Sequence, residues 1–487
     1  MVCTTNALRL LAALLTILLT TTALPTPNNG KEGTISLAPQ GFSATPHKNG
    51  GPSPTAMPKQ DKQDGGDGES KKKDASGSKQ PKEKQQSQKQ GSNEKPKKQC
   101  KQGPAAVVAA AGTNSTANTP AAKGAKVVYY ITNDADNAIV ALRVGADGKL
   151  SDGSVTLTGG NGGNGIQKGA AAKVDPLFSQ SAVRVGSGMI MAVNAGSNTL
   201  SLFTIDPEDG TKLTPAGKPV DTMGDFPVTV GFSDKLKQAC VANTGAKSGV
   251  ACFKASAQGL QPLQQTQRAL PIGQTTPPTG PEGTISHALF NSDSSALLVS
   301  VKGDPAKNDS GFMAVYPVGA DGSVANRETR SSPAGTAVLF GMANIDASTV
   351  LATDASFGAA VLSLSSSSQS FSTVSKTPIG DQKATCWAAL SPATGSVFVT
   401  DVGANHLVEI DPADGKLLRD LDLDNQNPGM IDLAAAGNFV YALSPGDANT
   451  KTKVVVFDVS AGKGSAKQVQ NFQPAKGSPN SMGMTFA

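Results

Sequence analysis

The chain has 487 residues, of which 38% are hydrophobic and 4% aromatic, and its formal net charge is +5. Three histidines and five scattered cysteines do not supply the clustered ligands of a zinc site, so no metal is predicted. Eleven lysines lie within residues 70–101, and Phe42 is the only aromatic residue between Pro25 and Val127. A basic segment without interleaved aromatics argues against nucleic-acid binding.

The first 23 residues have the pattern of a secretory signal peptide. Arg9 supplies the positive charge, residues 10–19 form a short apolar run, and small residues at 21–23 offer a cleavage site. No later stretch reaches about 18 consecutive apolar residues, the length that a membrane-spanning helix needs. We therefore predict an extracellular, secreted protein, with cell-wall association left open and no membrane span.

Residues 24–124 predict a disordered stalk and hinge. This stretch is rich in Pro, Gly, Ser, Gln and Lys, and it cannot bury enough apolar surface to offset the entropy lost on ordering. Two interpretations of its lysines remain open: a solvated tail that repels itself, or attachment to acidic wall polymers or host glycans. Asn114 and Asn308 stand in N-x-S/T sequences and are predicted glycosylation sites.

From residue 125 to 487 short apolar runs alternate with turn residues, which predicts an all-β domain. Seven of these runs end in a small polar turn, at intervals of 61, 49, 59, 52, 47 and 43 residues. Each interval has room for about four strands, so the repeat predicts a seven-bladed β-propeller. The turn positions are Asn133, Asn194, Asn243, Lys302, Asp354, Asp401 and Ser444.

Second turns with a D-G sequence follow in several repeats, at residues 147–148, 209–210, 321–322 and 414–415. Glycine at such positions accepts the positive φ that tight hairpins require. Each repeat therefore predicts consecutive antiparallel strands.

These repeats resemble the lactonase-type seven-bladed propellers, which include phosphogluconolactonase and the carboxymuconate lactonizing enzyme. Within that family, ACVANTGAKSGVAC at 239–252 and CWAALSPATGSVFVTDVGANHLVEID at 386–411 resemble a fungal secreted branch. Some members of that branch are described as surface glycoprotein antigens and adhesins. The resemblance covers residues 127–487 and implies a lactonase-like propeller behind the stalk.

The cysteines fit that branch. Cys240 and Cys252 flank a turn symmetrically on two arms of a predicted hairpin, where opposed side chains can form a disulfide. Cys386 is favoured as a buried free thiol, and pairing with Cys100 remains the alternative.

A ring of side chains is predicted around the mouth of the central channel. Aligning the apolar anchors of four innermost strands places Thr229, His287, Trp387 and Met430 three residues before those anchors. The phrase PEGTISHALFNSD resembles the lactonase motif, in which a histidine exchanges a proton with substrate. The resemblance implies His287 as the acid/base, and we predict Glu282 as its acidic partner. The structural alternative is that His287 fills the channel wall.

The arginines do not match the cationic clamp that a di- or tricarboxylate substrate needs. Arg184 and Arg268 are the two that do not fall in predicted outer turns or connections, and neither stands in a matching motif. We therefore predict an extracellular binding or adhesion protein and antigen, with cell-wall polymers or matrix glycans as partners. The alternative is a lactonase or carboxymuconate lactonizing enzyme acting on a small carboxylate or lactone. Neither function is predicted to need a cofactor, and His406 is predicted on a blade surface.

Overall fold

Strands and tight turns alternate throughout the part of the chain that the computed structural model describes, residues 124–487. The predicted signal peptide, almost all of the predicted stalk and Asn114 lie outside the described residues. One short 3-10 turn, Pro305–Lys307, is the helical element assigned within the described range. The prediction of an all-β domain is confirmed.

The strands of the first three blades follow the order of the chain. They are β1 (Val127–Ile131), β2 (Ala138–Val144), β3 (Leu150–Leu157), the small hairpin β4 (Ile166–Gln167) and β5 (Ala170–Ala171), β6 (Val183–Gly186), β7 (Met189–Asn194), β8 (Thr199–Ile205), β9 (Leu213–Pro215), β10 (Val220–Asp221), β11 (Pro227–Ser233), β12 (Gln238–Asn243), β13 (Gly249–Ser256), β14 (Gly259–Pro262) and β15 (Arg268–Ala269).

The remaining four blades and a closing strand complete the domain. Their strands are β16 (Ile285–Phe290), β17 (Ala296–Val301), β18 (Phe312–Pro317), β19 (Thr329–Ser331), β20 (Leu339–Asn344), β21 (Thr349–Asp354), β22 (Gly358–Leu364), β23 (Phe371–Pro378), β24 (Thr385–Leu390), β25 (Val397–Asp401), β26 (His406–Asp411), β27 (Lys416–Asp422), β28 (Ile431–Ala436), β29 (Phe439–Ser444), β30 (Lys453–Asp458), β31 (Lys467–Phe472) and β32 (Met482–Phe486).

Seven antiparallel sheets of four or five strands form the blades of the described domain. The innermost strands are β32, β6, β11, β16, β20, β24 and β28 in blades 1 to 7. The ring closes in blade 1, where the last strand β32 pairs with the first strand β1, with Val128 opposite Phe486. Because the ring is closed, every blade has a neighbouring blade on both sides. This arrangement protects the short edges of the sheets. The predicted seven-bladed propeller is confirmed.

The polar residues of the repeat have a common structural role. All seven are at most 1% exposed and lie at, or just beyond, the end of the second strand of a blade. The carboxylate of Asp354 accepts the backbone N–H groups of Ala337 and Val338, and Asp401 accepts those of Lys383 and Ala384. These two carboxylates thus anchor the loop that leads into the innermost strand of their own blade.

The second turns also follow the prediction in three cases. Gly148, Gly322 and Gly415 have φ values of 76°, 82° and 76°, which only glycine adopts without strain. Inner and outer strands differ in burial: β12 and β28 are buried at every residue, whereas β3 and β27 contain exposed positions. Inner strands pack between two neighbouring blades, and this explains their continuous apolar runs.

The predicted disulfide is present. Cys240 and Cys252 are directly opposite one another on β12 and β13, and their sulfur atoms are bonded. Cys386 is a buried free thiol, as favoured from the sequence, while Cys100 lies outside the described residues. Within residues 124–487, the 3-10 turn is too short to cross a membrane.

Candidate functional site

A short segment of irregular backbone crosses the centre of the ring. We call residues 175–181, between β5 and β6, the channel segment. Asp175, Phe178 and Ser181 have φ values of 55°, 55° and 64°, an uncommon conformation for residues other than glycine. All three side chains are buried. The segment bonds to blades 3 and 4 on one side and to blades 6 and 7 on the other, so it must pass through the channel.

Gln180 makes the most specific of these contacts. Its side-chain amide donates from Nε2 to the carbonyl of Ala388 at 2.8 Å, and its Oε1 accepts the N–H of Ala388 at 3.2 Å. Its own backbone N–H donates to the carbonyl of Ser286 in blade 4. Gly341 makes room for this side chain, because a Cβ atom there would lie 2.0 Å from Gln180 Oε1. One glutamine thus joins blades 4 and 6.

Ser179 and Phe178 bind the aromatic side of the channel. The indole Nε1 of Trp387 donates to the carbonyl of Ser179 at 3.0 Å, and the ring of Trp387 packs edge-on against Phe340. Lys302 donates from Nζ to the carbonyl of Phe178 at 2.7 Å and lies 4.4 Å from the centre of the Phe340 ring. These contacts fill the end of the channel where the innermost strands begin.

Two buried ionisable groups lie at this filled end. Burial lowers the pKa of Lys302 to about 8, opposed by the attraction of Asp175. Burial also raises the pKa of Asp175, opposed by Lys302 and by the backbone N–H of Ser179. Burial thus shifts the pKa of each group in the direction that favours its neutral form, which is the usual response to burial.

A cavity of about 340 Å³ occupies the other end of the channel, where the innermost strands finish. Its walls are largely apolar and include Leu289, Leu390 and Ala435, with Phe486 at the partly exposed rim. Five polar side chains also line it: Gln180, Ser181, Arg184, His287, Thr485. An apolar cavity with a few convergent polar groups is the usual form of a small-molecule site.

His287 forms hydrogen bonds through both ring nitrogens. Nδ1 accepts the backbone N–H of Met342 at 3.1 Å, so Nδ1 carries no proton, and Nε2 must donate to Ser181 Oγ at 3.1 Å. Burial, with a smaller contribution from the positive charge of Arg184, lowers the pKa of His287 to about 3. His287 is therefore a neutral imidazole in a single tautomer at any pH near neutrality.

Arg184 is the cation of this cavity. It is half-buried, and within residues 124–487 its guanidinium has no hydrogen-bond acceptor and no carboxylate within 4.0 Å. Its positive charge therefore remains available to a ligand. A guanidinium suits carboxylates because its N–H groups form a planar fork.

Asp432 lies below the cavity at the start of β28. It is 1% exposed, has a positive φ of 30°, and accepts the backbone N–H groups of Ser181 and Leu433 at 2.9 Å each. Burial raises the pKa of Asp432 to about 7, opposed first by these N–H groups and then by Arg184. A strained, buried carboxyl with such a shift is a feature often seen at functional sites.

The predicted ring is only partly reproduced. Thr229, His287 and Trp387 occupy equivalent positions, each just after an irregularity in the pairing of its innermost strand. In blade 7 the equivalent residue is Leu433, because Met430 precedes β28 and the same irregularity falls between Ile431 and Leu433. Of the four predicted residues, His287 lines the cavity. Ligand binding by all four remains a prediction.

The other predicted residues lie on the outside. Glu282 is exposed, in a loop beside Lys307, and it does not line the cavity with His287. The structure therefore does not bring the predicted acid/base pair together there, and the catalytic role of Glu282 remains a prediction. Asn308 is exposed beside the short 3-10 turn and would be accessible to a glycan, which also remains a prediction.

His406 is buried, not on the blade surface as predicted, and its ring faces Asp420 of the neighbouring strand β27. Its Nδ1 lies 2.9 Å from an Asp420 oxygen, and Asp422 is its cross-strand partner. Within the described range this is the group of three whose ligand atoms lie close enough together to hold a metal ion. Exposed carboxylates of this kind are common without a metal ion.

Sequence reasoning did not identify Arg184, Asp432 or the channel segment as parts of a site. The first two had a visible signal, since each is a charged residue inside an otherwise apolar strand. The segment had none, because irregular backbone carries no periodic pattern.

No protein-family model and no curated protein matches the chain in sequence. Solved structures do match its fold. A candidate 6-phosphogluconolactonase from Bacteroides fragilis has a TM-score of 0.50 at 12% identity, covering 77% of this chain and 100% of that protein. A protein of unknown function from Desulfotomaculum acetoxidans also has a TM-score of 0.50 at 12% identity, with coverages of 74% and 98%. At these identities the likeness establishes the lactonase-like propeller fold alone.

The first prediction concerns Gln180. Gln180→Ala leaves both the N–H and the carbonyl of Ala388 without partners, so we expect a loss of about 1–3 kcal/mol in the free energy of unfolding. Gly341→Ala should cause a loss of the same kind by displacing the amide. Urea denaturation measures both. Gln264→Ala is the matched control, since that amide bonds only to exposed Asn326; equal midpoints for all variants would show that the segment is not a structural bridge.

The second prediction concerns Asp432. Between about pH 4 and pH 7 the folded state holds a proton on Asp432 that the unfolded chain has lost, so this group makes stability fall as pH rises. Asp432→Asn removes the titration. We expect the stability of the wild type relative to Asp432→Asn to decline from pH 5 to pH 8, whatever the offset at pH 5. Thermal melting across that range measures the difference, and parallel curves would contradict the assignment.

Proposed function

We propose that this chain is a binding protein whose central cavity takes a small organic anion, rather than a lactonase. The observation that carries the proposal is a guanidinium without a protein partner, Arg184, in an apolar-walled cavity beside a neutral histidine. The walls fit the carbon body of a ligand, and Arg184 fits its carboxylate.

The polar groups around Arg184 can orient such a ligand without exchanging a proton. Ser181 Oγ, which accepts from His287, keeps its own hydrogen as a donor toward the cavity. Arg184 and Ser181 thus both present donors, as a carboxylate requires. A single cation limits the site to a monocarboxylate or to one end of a longer acid.

Acid/base catalysis by His287 would need a different environment. To accept a proton, Nδ1 must give up the N–H of Met342, and the resulting imidazolium would be buried beside Arg184. An effective general base has a pKa near the working pH, whereas the pKa of His287 is about 3. These conditions support binding over the lactonase or carboxymuconate lactonizing alternative, which rests on fold resemblance.

We also infer an extracellular role in binding or adhesion. The signal-like N-terminus, the lysine-rich stretch and the Cys240–Cys252 disulfide support secretion and contact with acidic cell-wall polymers or matrix glycans. The segments at 239–252 and 386–411 support membership of the fungal secreted branch of lactonase-like surface antigens. The small carboxylate or lactone would be a separate ligand of the central cavity.

The third prediction tests the cavity with Trp387, which is the only tryptophan in the chain and precedes Ala388 of the cavity wall. Titrating the full chain with small carboxylates, muconates and lactones should change its fluorescence saturably with at least one acid, without turnover. Arg184→Gln should weaken that binding at least about tenfold because a charge-assisted contact is lost. Arg330→Gln, an arginine of outer strand β19, is the matched control.

Two outcomes would decide against this proposal. No saturable change with any compound would remove the cavity as a binding site. Turnover of a muconate or lactone that His287→Gln abolishes, with thermal stability retained, would establish the enzymatic alternative.

The fourth prediction tests the extracellular role. The full chain should sediment with isolated acidic wall polysaccharide at physiological salt, because eleven lysines lie within 32 residues. Replacing those eleven lysines by glutamine should leave the chain in solution instead of sedimenting with the polysaccharide. If the propeller alone made the contact, the same replacements would leave binding unchanged. A wild-type chain that stays in solution would contradict wall attachment.

A further inference from the structure

A second cavity, of about 350 Å³, lies in the outer groove between blades 3 and 4. One side is formed by the turn between β11 and β12 and by β13 and β15 of blade 3. The other side is the turn between β18 and β19, in blade 4. This groove is separate from the central cavity and shares none of its lining residues, so it does not depend on the function proposed above.

The floor of the groove contains a buried cation. Arg268 is 5% exposed, and it donates from Nε to the carbonyl of Ala325 at 2.9 Å and from Nη2 to that of Val324 at 2.9 Å. Both acceptors are neutral. Within residues 124–487 no carboxylate lies within 4.0 Å of this guanidinium, and Nη1 has no acceptor. The charge of Arg268 is therefore not neutralised by the protein.

Two exposed lysines line the same groove. Lys235 donates to the carbonyl of Asp293 at 3.0 Å and Lys254 to that of Leu236 at 2.6 Å, so each ammonium keeps donors for another acceptor. The one carboxylate among the lining side chains, Asp321, is exposed at the rim and accepts from Ser323. Three cations therefore face one anion across the groove.

The contact between blades explains Arg268 but not the lysines. The guanidinium of Arg268 bonds two carbonyls of the next blade without help from other cations. Lys235 and Lys254 therefore add only electrostatic repulsion to a cation that is already desolvated. An anion bound among the three would relieve that repulsion.

We propose that this groove binds a sulfate or phosphate group. A tetrahedral oxyanion presents three or more oxygens in different directions, so it can meet Nη1 of Arg268 and both ammonium groups together. A carboxylate has its acceptor sites in one plane, so it matches three cations that approach from different directions less well. The groove is also larger than a lone oxyanion, so the group can be carried as an ester on a small sugar.

The fifth prediction is tested by thermal melting of the full chain in inorganic sulfate and in inorganic phosphate. Chloride at equal ionic strength is the reference. The melting temperature should rise saturably with the oxyanion. The double variant Lys235→Gln/Lys254→Gln should raise the concentration for half of this effect at least about tenfold. Lys218→Gln/Lys451→Gln removes the same charge from exposed positions outside the groove and should behave as the wild type.

The design separates the groove from the lysine-rich N-terminal stretch, because all variants share that stretch. A response that does not saturate, or one that is equal in both double variants, would overturn the proposal. A sulfated disaccharide that acts at lower concentration than inorganic sulfate, with the unsulfated sugar inert, would identify an ester as the ligand. Equal potency of the two would identify the free ion.

Discussion

The backbone groups on the inward edge of the innermost strands need hydrogen-bond partners, and the interior of this propeller depends on that requirement. Each such strand has a neighbour on one side only, so its other edge turns backbone groups toward the channel, where unpaired groups are costly. The channel segment satisfies several of them: Gln180 binds both groups of Ala388, Ser179 Oγ bonds Val228, and Ser181 accepts from Val230. Since the segment fills one end of the channel, the remaining space is a cavity at the other end.

The same segment determines the ionisation of the groups around it. It excludes water from Lys302 and Asp175 and supplies hydrogen bonds in return, through the carbonyl of Phe178 and the N–H of Ser179. Buried charges are tolerated when such partners are present, and burial shifts their pKa values in the direction that favours the neutral form. Lys302 and Asp175 thus have partners inside the channel, whereas within residues 124–487 the guanidinium of Arg184 has no hydrogen-bond acceptor.

The architecture could be predicted because each repeat contains a buried polar residue, such as Asn194 or Asp401. The spacing of these residues along the sequence equals the length of a blade. Placing residues around the channel required more. Alignment on apolar anchors alone placed Met430 at the position equivalent to His287. The observed strand pairing places Leu433 there, because the register changes at the irregularity between Ile431 and Leu433. The tautomer of His287 could not be predicted at all, because it depends on a backbone N–H in the neighbouring blade.

The location of exchangeable protons supports the proposed binding function of the central cavity. His287 has none to exchange near neutral pH, since Nε2–H is committed to Ser181 and burial holds its pKa at about 3. Asp432 has a pKa of about 7, but both of its oxygens accept backbone N–H groups, and it does not line the cavity. Arg184 remains as the group that can meet a ligand, and a guanidinium orients an anion without transferring a proton. Under the proposed function, a ligand is held here by charge and apolar contact.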